Sequence, residues 1–127
     1  MAKRQLRIAI VGSGMSGLCA AIALQRNDIH NVTIYEKANE AGGTWCENTY
    51  PGLTCDVPSR FYQFTFATNP GWSRLLSPGP EIQEYFVDVA KRSGLSERIR
   101  FGTQVQGARF DGRRWVVTTP DGGGAVP

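Results

Sequence analysis

The spacing of apolar positions changes along the chain, and each change marks an element. Residues 7–11 (RIAIV) form a short β-branched apolar run stopped by glycine. That is the pattern of a strand buried on both faces in a parallel sheet. From residue 14 to about 26 the period lengthens. Leu18, Ala21, Ile22 and Gln25 fall at i, i+3, i+4 and i+7, which predicts a helix. Ala20, Ala21 and Ala23 are small enough for that helix to lie close on a sheet. Residues 27–31 form a polar turn in which the lone histidine, His30, is expected to be solvated. Residues 32–36 (VTIYE) are a second apolar strand. Together they make one βαβ unit of roughly 30 residues.

Residues 38–58 are rich in Gly, Asn, Thr and Pro without a sustained period. They read as an ordered functional loop. Residues 60–66 (RFYQFTF) are aromatic and roughly alternating, either a strand or an irregular packed segment. Ser77 then precedes a helix with Pro80 near its first turn and Glu81 and Glu84 toward its positive end. Its apolar face is Ile82, Tyr85, Phe86 and Val89, and Gly94 stands where a C-terminal cap belongs. Residues 99–101 suggest a third parallel strand. Residues 104–110 and 114–119 are alternating strands joined at Asp111-Gly112, a hairpin signal. Residues 120–124 begin another turn. The expected fold class is α/β: a Rossmann-like domain with a βαβ start, a parallel sheet and an antiparallel hairpin, incomplete at its C-terminus.

Composition narrows the function. The 127 residues suit one domain, with 41% hydrophobic and 20% charged residues. A net charge of +3 is a mild, scattered excess. Its densest spot, Lys3, Arg4 and Arg7, lacks the aromatic interleaving of nucleic-acid modules, so no nucleic-acid partner is expected. Cys19, Cys46 and Cys55 have no CxxC spacing and there is one histidine, too few ligands for a structural zinc. Free thiols suit a reducing compartment, and a cytoplasmic protein is expected. The basic start followed by an apolar run imitates a signal peptide. Gly12-Ser13-Gly14 interrupts that run at once, and no stretch is long enough to span a membrane.

The chemistry begins at Gly12-Ser13-Gly14-Met15-Ser16-Gly17, a GxGxxG pattern. Alone it is weak. Here it follows a strand, opens a helix, and precedes an acidic strand end at Glu36, 19 residues after Gly17. That context makes it a dinucleotide fingerprint. Gly12 permits the tight turn, Gly14 lets backbone approach a pyrophosphate, and Gly17 lets helix and strand pack closely. The helix N-terminus offers unpaired N–H groups to phosphate. Glu36 suits the hydroxyls of an adenosine ribose and would repel a 2′-phosphate, which favours FAD or NAD over NADP at this site.

Later segments separate the two cofactors. Glu36-Lys37 followed by Gly42-Gly43-Thr44-Trp45 resembles the GG-x-W segment of flavin-containing monooxygenases. Residues 50–56, Tyr-Pro-Gly-Leu-Thr-Cys-Asp, resemble the YPG-x-x-CD segment of Baeyer–Villiger monooxygenases. Tyr62, Phe64 and Phe66, then Trp72-Ser73, then Pro80-Glu81-Ile82 resemble further segments in the same order. The resemblance covers essentially the whole chain. It implies the FAD-binding portion of an NADPH- and O2-dependent flavin monooxygenase. In that family a C4a-peroxyflavin oxygenates ketones or soft heteroatoms of a small organic substrate.

Carried over by position, the resemblance assigns Gly12, Gly14, Ser16 and Gly17 to the pyrophosphate and Glu36 to the ribose. Lys37, Gly43, Thr44 and Trp45 would lie along the FAD. Val105 would meet the adenine through its backbone. Asp56 and Tyr62 would flank the flavin end. Thr54 and Cys55 match a segment that borders bound NADP, and Val57 beside them is a further cofactor-binding candidate. Asp56 is the catalytic candidate, because the matching aspartate orients a cation beside the flavin. Its alternative role is to cap the turn before Val57-Pro58. Trp45 can equally be core packing, and Cys46 and Cys55 read as inert thiols.

Thr54 departs from the family, which often carries a basic residue there. The second GxGxxG, the FxGxxxHxxxW fingerprint and the last parallel strand of the FAD domain are also not in these residues. The expectation is therefore a truncated FAD-binding domain without its NADPH domain. Its cofactor site would be open on one side, its hairpin would keep an unpaired edge, and another chain is a possible complement. The alternative is a catalytically inactive FAD-binding fragment or a non-functional remnant.

Overall fold

The computed structural model of the chain describes residues 6–122 and 124–125. Lys3 and Arg4 of the basic start and Gly123 of the last turn lie outside the described residues.

The βαβ unit forms as its periodicity predicts. β1 (Ile8–Val11) and β2 (Val32–Tyr35) pair in parallel, with Ile8 beside Val32 and Ile10 beside Ile34. α1 (Met15–Arg26) makes the crossover. The βαβ unit is followed by a loop containing α2 (Thr44–Glu47), and then by α3 (Gly79–Arg92). β3 (Ile99–Arg100) adds to the far side of β2, giving the order β1-β2-β3. Ile34 and Ile99 join Leu18, Ala21 and Ile22 of α1 and Ile82, Phe86 and Val89 of α3 in one core. Burying a side chain of this kind contributes roughly 1.5–3 kcal/mol. The expectation that β1 is buried on both faces needs correcting. Its first three residues are half-buried, and Val11 is 66% exposed. β1 is the edge strand of the three, whereas the central β2 is flanked on both sides and buries Val32, Ile34 and Tyr35.

Both long helices stop in the same way. After α3, Gly94 takes φ +68°, its N–H bonds the Lys91 carbonyl, and the Leu95 N–H reaches the Ala90 carbonyl. This is a Schellman motif, and Leu95 is fully buried beneath it. After α1, Asp28 takes the left-handed position at φ +60°, with N–H bonds from Asp28 to Gln25 and from Ile29 to Leu24. Aspartate is among the few side chains that tolerate this conformation.

The aromatic run at residues 60–66 is a series of turns, not a strand. It is held by packing: Phe64 is buried, stacks on Phe66 at 4.9 Å, and meets Phe86 edge-on at 5.7 Å. The Tyr85 hydroxyl ties the segment to α3. It accepts from the Phe64 N–H at 2.8 Å and donates to the Ala67 carbonyl at 2.7 Å.

The hairpin forms a separate sheet of β4 (Gly107–Phe110), β5 (Trp115–Thr118) and β6 (Gly124–Ala125). Its loop closes between Asp111 and Arg114, with Gly112 at φ +96° in the first turn position. The turn is thus one residue later than an Asp-Gly centre. β6 was not expected. It pairs antiparallel with β5, so the hairpin edge still unpaired among the described residues is that of β4. Among the described residues, no helix is long and apolar enough to cross a membrane, and no cluster of metal-ligating side chains occurs.

Candidate functional site

The chain leaves β1 through a turn that only glycine makes easily. Gly12 has φ +93°, and its N–H bonds the Tyr35 carbonyl at 2.8 Å, tying the turn to β2. Gly14 caps α1 through its backbone, and among the described residues no side chain caps that helix end. The first-turn N–H groups therefore lack helical partners and carry the positive end of the helix dipole. At Gly17 a side chain would run into the Gly12 carbonyl, so the helix can approach the turn only with glycine there.

A second glycine turn closes on the first. Gly43, at φ +55°, packs on Gly14, and a Cβ on Gly43 would come within 3.0 Å of the Gly14 Cα. The Gly42 N–H bonds the Ser13 carbonyl at 3.0 Å. Between these turns and the end of β2 lies a cleft of about 310 Å³. Its walls include Gly12, Gly14, Glu36, Lys37, Gly43 and Val105, with Glu47, Thr103 and Gln104 completing the rim.

Glu36 is the charged centre. It is buried, and its Oε2 accepts from the Ser13 N–H at 2.8 Å and from the Ser13 hydroxyl at 2.6 Å. Its Oε1 accepts from the Ala38 N–H at 2.9 Å. Burial pushes its pKa up, but the Ser13 hydroxyl, the two backbone N–H groups and the nearby Lys37 outweigh that, and the net shift is downward. The carboxylate is held ionised, with acceptor capacity left on Oε1. Lys37 is exposed and pairs with Glu47 at 2.9 Å. The hydrogen bond to Glu47 and its charge raise the Lys37 pKa.

The remaining predicted positions stand outside the cleft walls. Ser16 is exposed in the first turn of α1, and Thr44 is exposed at the start of α2. Trp45 is half-buried against the core. Its indole N–H donates to the Tyr62 hydroxyl at 3.2 Å, and the rings meet edge-on at 5.7 Å. Thr54 is exposed and bridges to Pro78. Cys55 is buried in the core, with its N–H on the Ser77 carbonyl, so its thiol faces no solvent-filled site. Asp56 and Val57 are exposed beside it. Cys46 is half-buried in α2. Burial, then the charges of Glu40, Glu36 and Glu47, push its thiol pKa up, as suits an unreactive cysteine.

Ser13 is the site residue that sequence reasoning passed over. It occupies a variable position of GxGxxG, where the pattern assigns no role, yet it is fully buried and bonded twice to Glu36. The residues fit a dinucleotide. Two glycine turns leave room for backbone to approach a diphosphate, a helix end without a side-chain cap supplies donors, and an ionised carboxylate stands at the end of β2.

Comparison with known proteins agrees with this geometry. The model of the NAD(P)-binding Rossmann-like domain family matches residues 10–78. A monooxygenase of Mycobacterium tuberculosis is 57% identical over 115 residues, which are 91% of this chain and 23% of the relative. A Baeyer–Villiger monooxygenase of Streptomyces coelicolor is 42% identical over 119 residues, again 23% of its length. The structure of an oxidized steroid monooxygenase bound to NADP superposes with a TM-score of 0.84 at 35% identity, covering 94% of this chain and 24% of that one. The chain thus spans about a quarter of the length of the proteins it matches. By the family model and the fold alike, the chain belongs to the NAD(P)-binding Rossmann-like domain family.

Proposed function

We propose that this chain is the FAD-binding part of an NADPH- and O2-dependent flavin monooxygenase of the Baeyer–Villiger type. The observation that carries the reading is the meeting of two glycine turns over a cleft whose charged wall is Glu36. The similarity to Baeyer–Villiger and steroid monooxygenases supports it.

In this reading Gly12, Gly14, Ser16 and Gly17 present backbone and helix-end donors to the pyrophosphate. Glu36 accepts from the ribose hydroxyls through Oε1, while Ser13 holds Oε2. Val105, with Lys37 beside Glu36, borders the adenine end. Gly43, Thr44 and Trp45 line the path of the FAD, and Tyr62 fixes Trp45. Reduced by NADPH, bound FAD supplies the chemistry that activates O2 for transfer of one oxygen atom to a small organic substrate. Thr54, Val57 and the backbone of Cys55 border the NADPH side. Exposed Asp56 orients a cation that steadies negative charge near the flavin.

The test is retention of flavin. The chain is mixed with FAD, gel-filtered, and its visible spectrum recorded, with Glu36→Ala as control. Near-stoichiometric flavin on the unsubstituted chain and its loss in the variant are expected. A colourless protein in both would overturn the assignment for this chain.

A further inference from the structure

The Gly42–Gly43 turn is met by a side chain far away in sequence. Gln83 lies on α3, and its amide nitrogen donates to the Ala41 carbonyl, 42 residues back. A carbonyl only accepts, so the NH2 end of the amide must face Ala41. The other end, Oε1, is buried and has no hydrogen-bond partner among the described residues. It sits where a Cβ on Gly42 would be, so the amide occupies the space that glycine leaves. Leaving a buried acceptor unpaired is costly. The arrangement survives because α3 is anchored on its apolar face by Ile82, Tyr85, Phe86 and Val89, all buried. The same turn is fixed from its other side, where the Gly42 N–H bonds Ser13 and Gly43 rests on Gly14.

We propose that Gln83 is a positioning residue: from α3 it clamps residues 41–43 onto the phosphate-binding turn and so sets the width of the cleft. Its consequence for FAD rests on the reading of that cleft as a dinucleotide site. Motif reasoning does not find it, because Gln83 belongs to neither glycine segment.

The test compares the 127-residue chain with Gln83→Met, which keeps length and volume and removes both amide groups. Residue-resolved amide exchange by NMR is read without ligand, and FAD affinity by quenching of flavin fluorescence. In the variant, exchange at Gly42, whose N–H bonds the Ser13 carbonyl, and at Cys46, whose N–H bonds the Gly43 carbonyl, is expected to rise about tenfold, the size of one lost hydrogen bond. Exchange at Leu18 and Ile34 in the core stays as it was. FAD affinity falls by a similar factor at a temperature well below the melting transition. Gln83→Glu keeps the length but puts an acceptor in place of the donor, and should loosen the turn at least as much as the methionine variant. A uniform rise at all protected amides would mean a merely stabilising residue and overturn the inference. So would a loosened turn with unchanged affinity. If the unsubstituted chain binds no FAD, the dinucleotide reading falls, while the exchange arm still decides whether Gln83 holds the turn.

Discussion

Ser13 and Glu36, 23 residues apart, are joined twice: the serine N–H and hydroxyl both donate to Oε2, at 2.8 and 2.6 Å. The pair locks the phosphate-binding turn to the end of β2 and holds the carboxylate ionised. Because the folded pKa of Glu36 lies below its ordinary value of 4.5, the pair stabilises the fold above that pH. The contribution is lost as pH falls through the lower folded pKa. In Ser13→Ala, Oε2 keeps only the backbone donor. Near neutral pH the variant should be less stable by about 1.5–3 kcal/mol, the range for a hydrogen bond to a charged group. Its acid unfolding should also begin at higher pH. Urea melts from pH 3 to 7, roughly spanning carboxyl titration, would check both, and coincident acid limbs for the two proteins would refute the coupling.

Gly17 faces a harder constraint. A Cβ there would run into the carbonyl oxygen of Gly12, which is backbone and cannot rotate away. Gly17→Ala should therefore cost stability although alanine favours helix, because overpacking costs about 1–3 kcal/mol. Thermal unfolding of Gly17→Ala against Ala20→Gly separates the two effects. Helix propensity alone would make the first variant more stable and the second less so.

The limits of sequence reading follow from the range of the forces. β1 and β2 were legible as short apolar runs, α1 and α3 because each buries one face and so carries a helical period, and the glycine cap after α3 carries its own local chemistry. The fingerprint glycines were legible for the same reason, as a local backbone demand. β1's exposure was not, since it depends on which strand lies at the sheet edge. α2 is four residues long, too short to show a period. β6 at Gly124–Ala125 has no β-branched or aromatic residue to announce it. The aromatic run at residues 60–66 imitates a strand because its rings alternate, yet Phe64 packs on Tyr85 and Phe86 of α3 instead of on a neighbouring strand. Ser13 and Gln83 act through contacts 23 and 42 residues distant, which no local pattern encodes.

Tyr85 carries two bonds on one oxygen, to Phe64 and Ala67, and it fastens the loop of residues 60–67 to α3. Tyr85→Phe keeps the ring packing against Phe86 and Trp72 but leaves the Phe64 N–H without its acceptor in a buried setting. The loss should be about 1–3 kcal/mol, the cost of an unsatisfied buried donor. Calorimetry should show a lower melting temperature. Amide exchange should rise first at Phe64, ahead of β2.

Two of the three thiols, Cys46 and Cys55, should react slowly for different reasons, one set by charge and one by burial. Cys55 is 2% exposed and should react with a thiol reagent only on unfolding. Cys46 is more accessible, but burial and the charges of Glu40, Glu36 and Glu47 oppose its thiolate. Since the thiolate is the nucleophile, its labelling at neutral pH should be slower than that of a free thiol and should rise only above the ordinary thiol range. Removing one neighbouring charge, as in Glu40→Gln, should speed Cys46 without changing Cys55. Mass spectrometry of samples quenched over a pH series would assign each rate to its residue. If Cys46 labelled fastest at neutral pH and Glu40→Gln made no difference, charge would not govern this thiol. The inert character assigned to it would then be wrong.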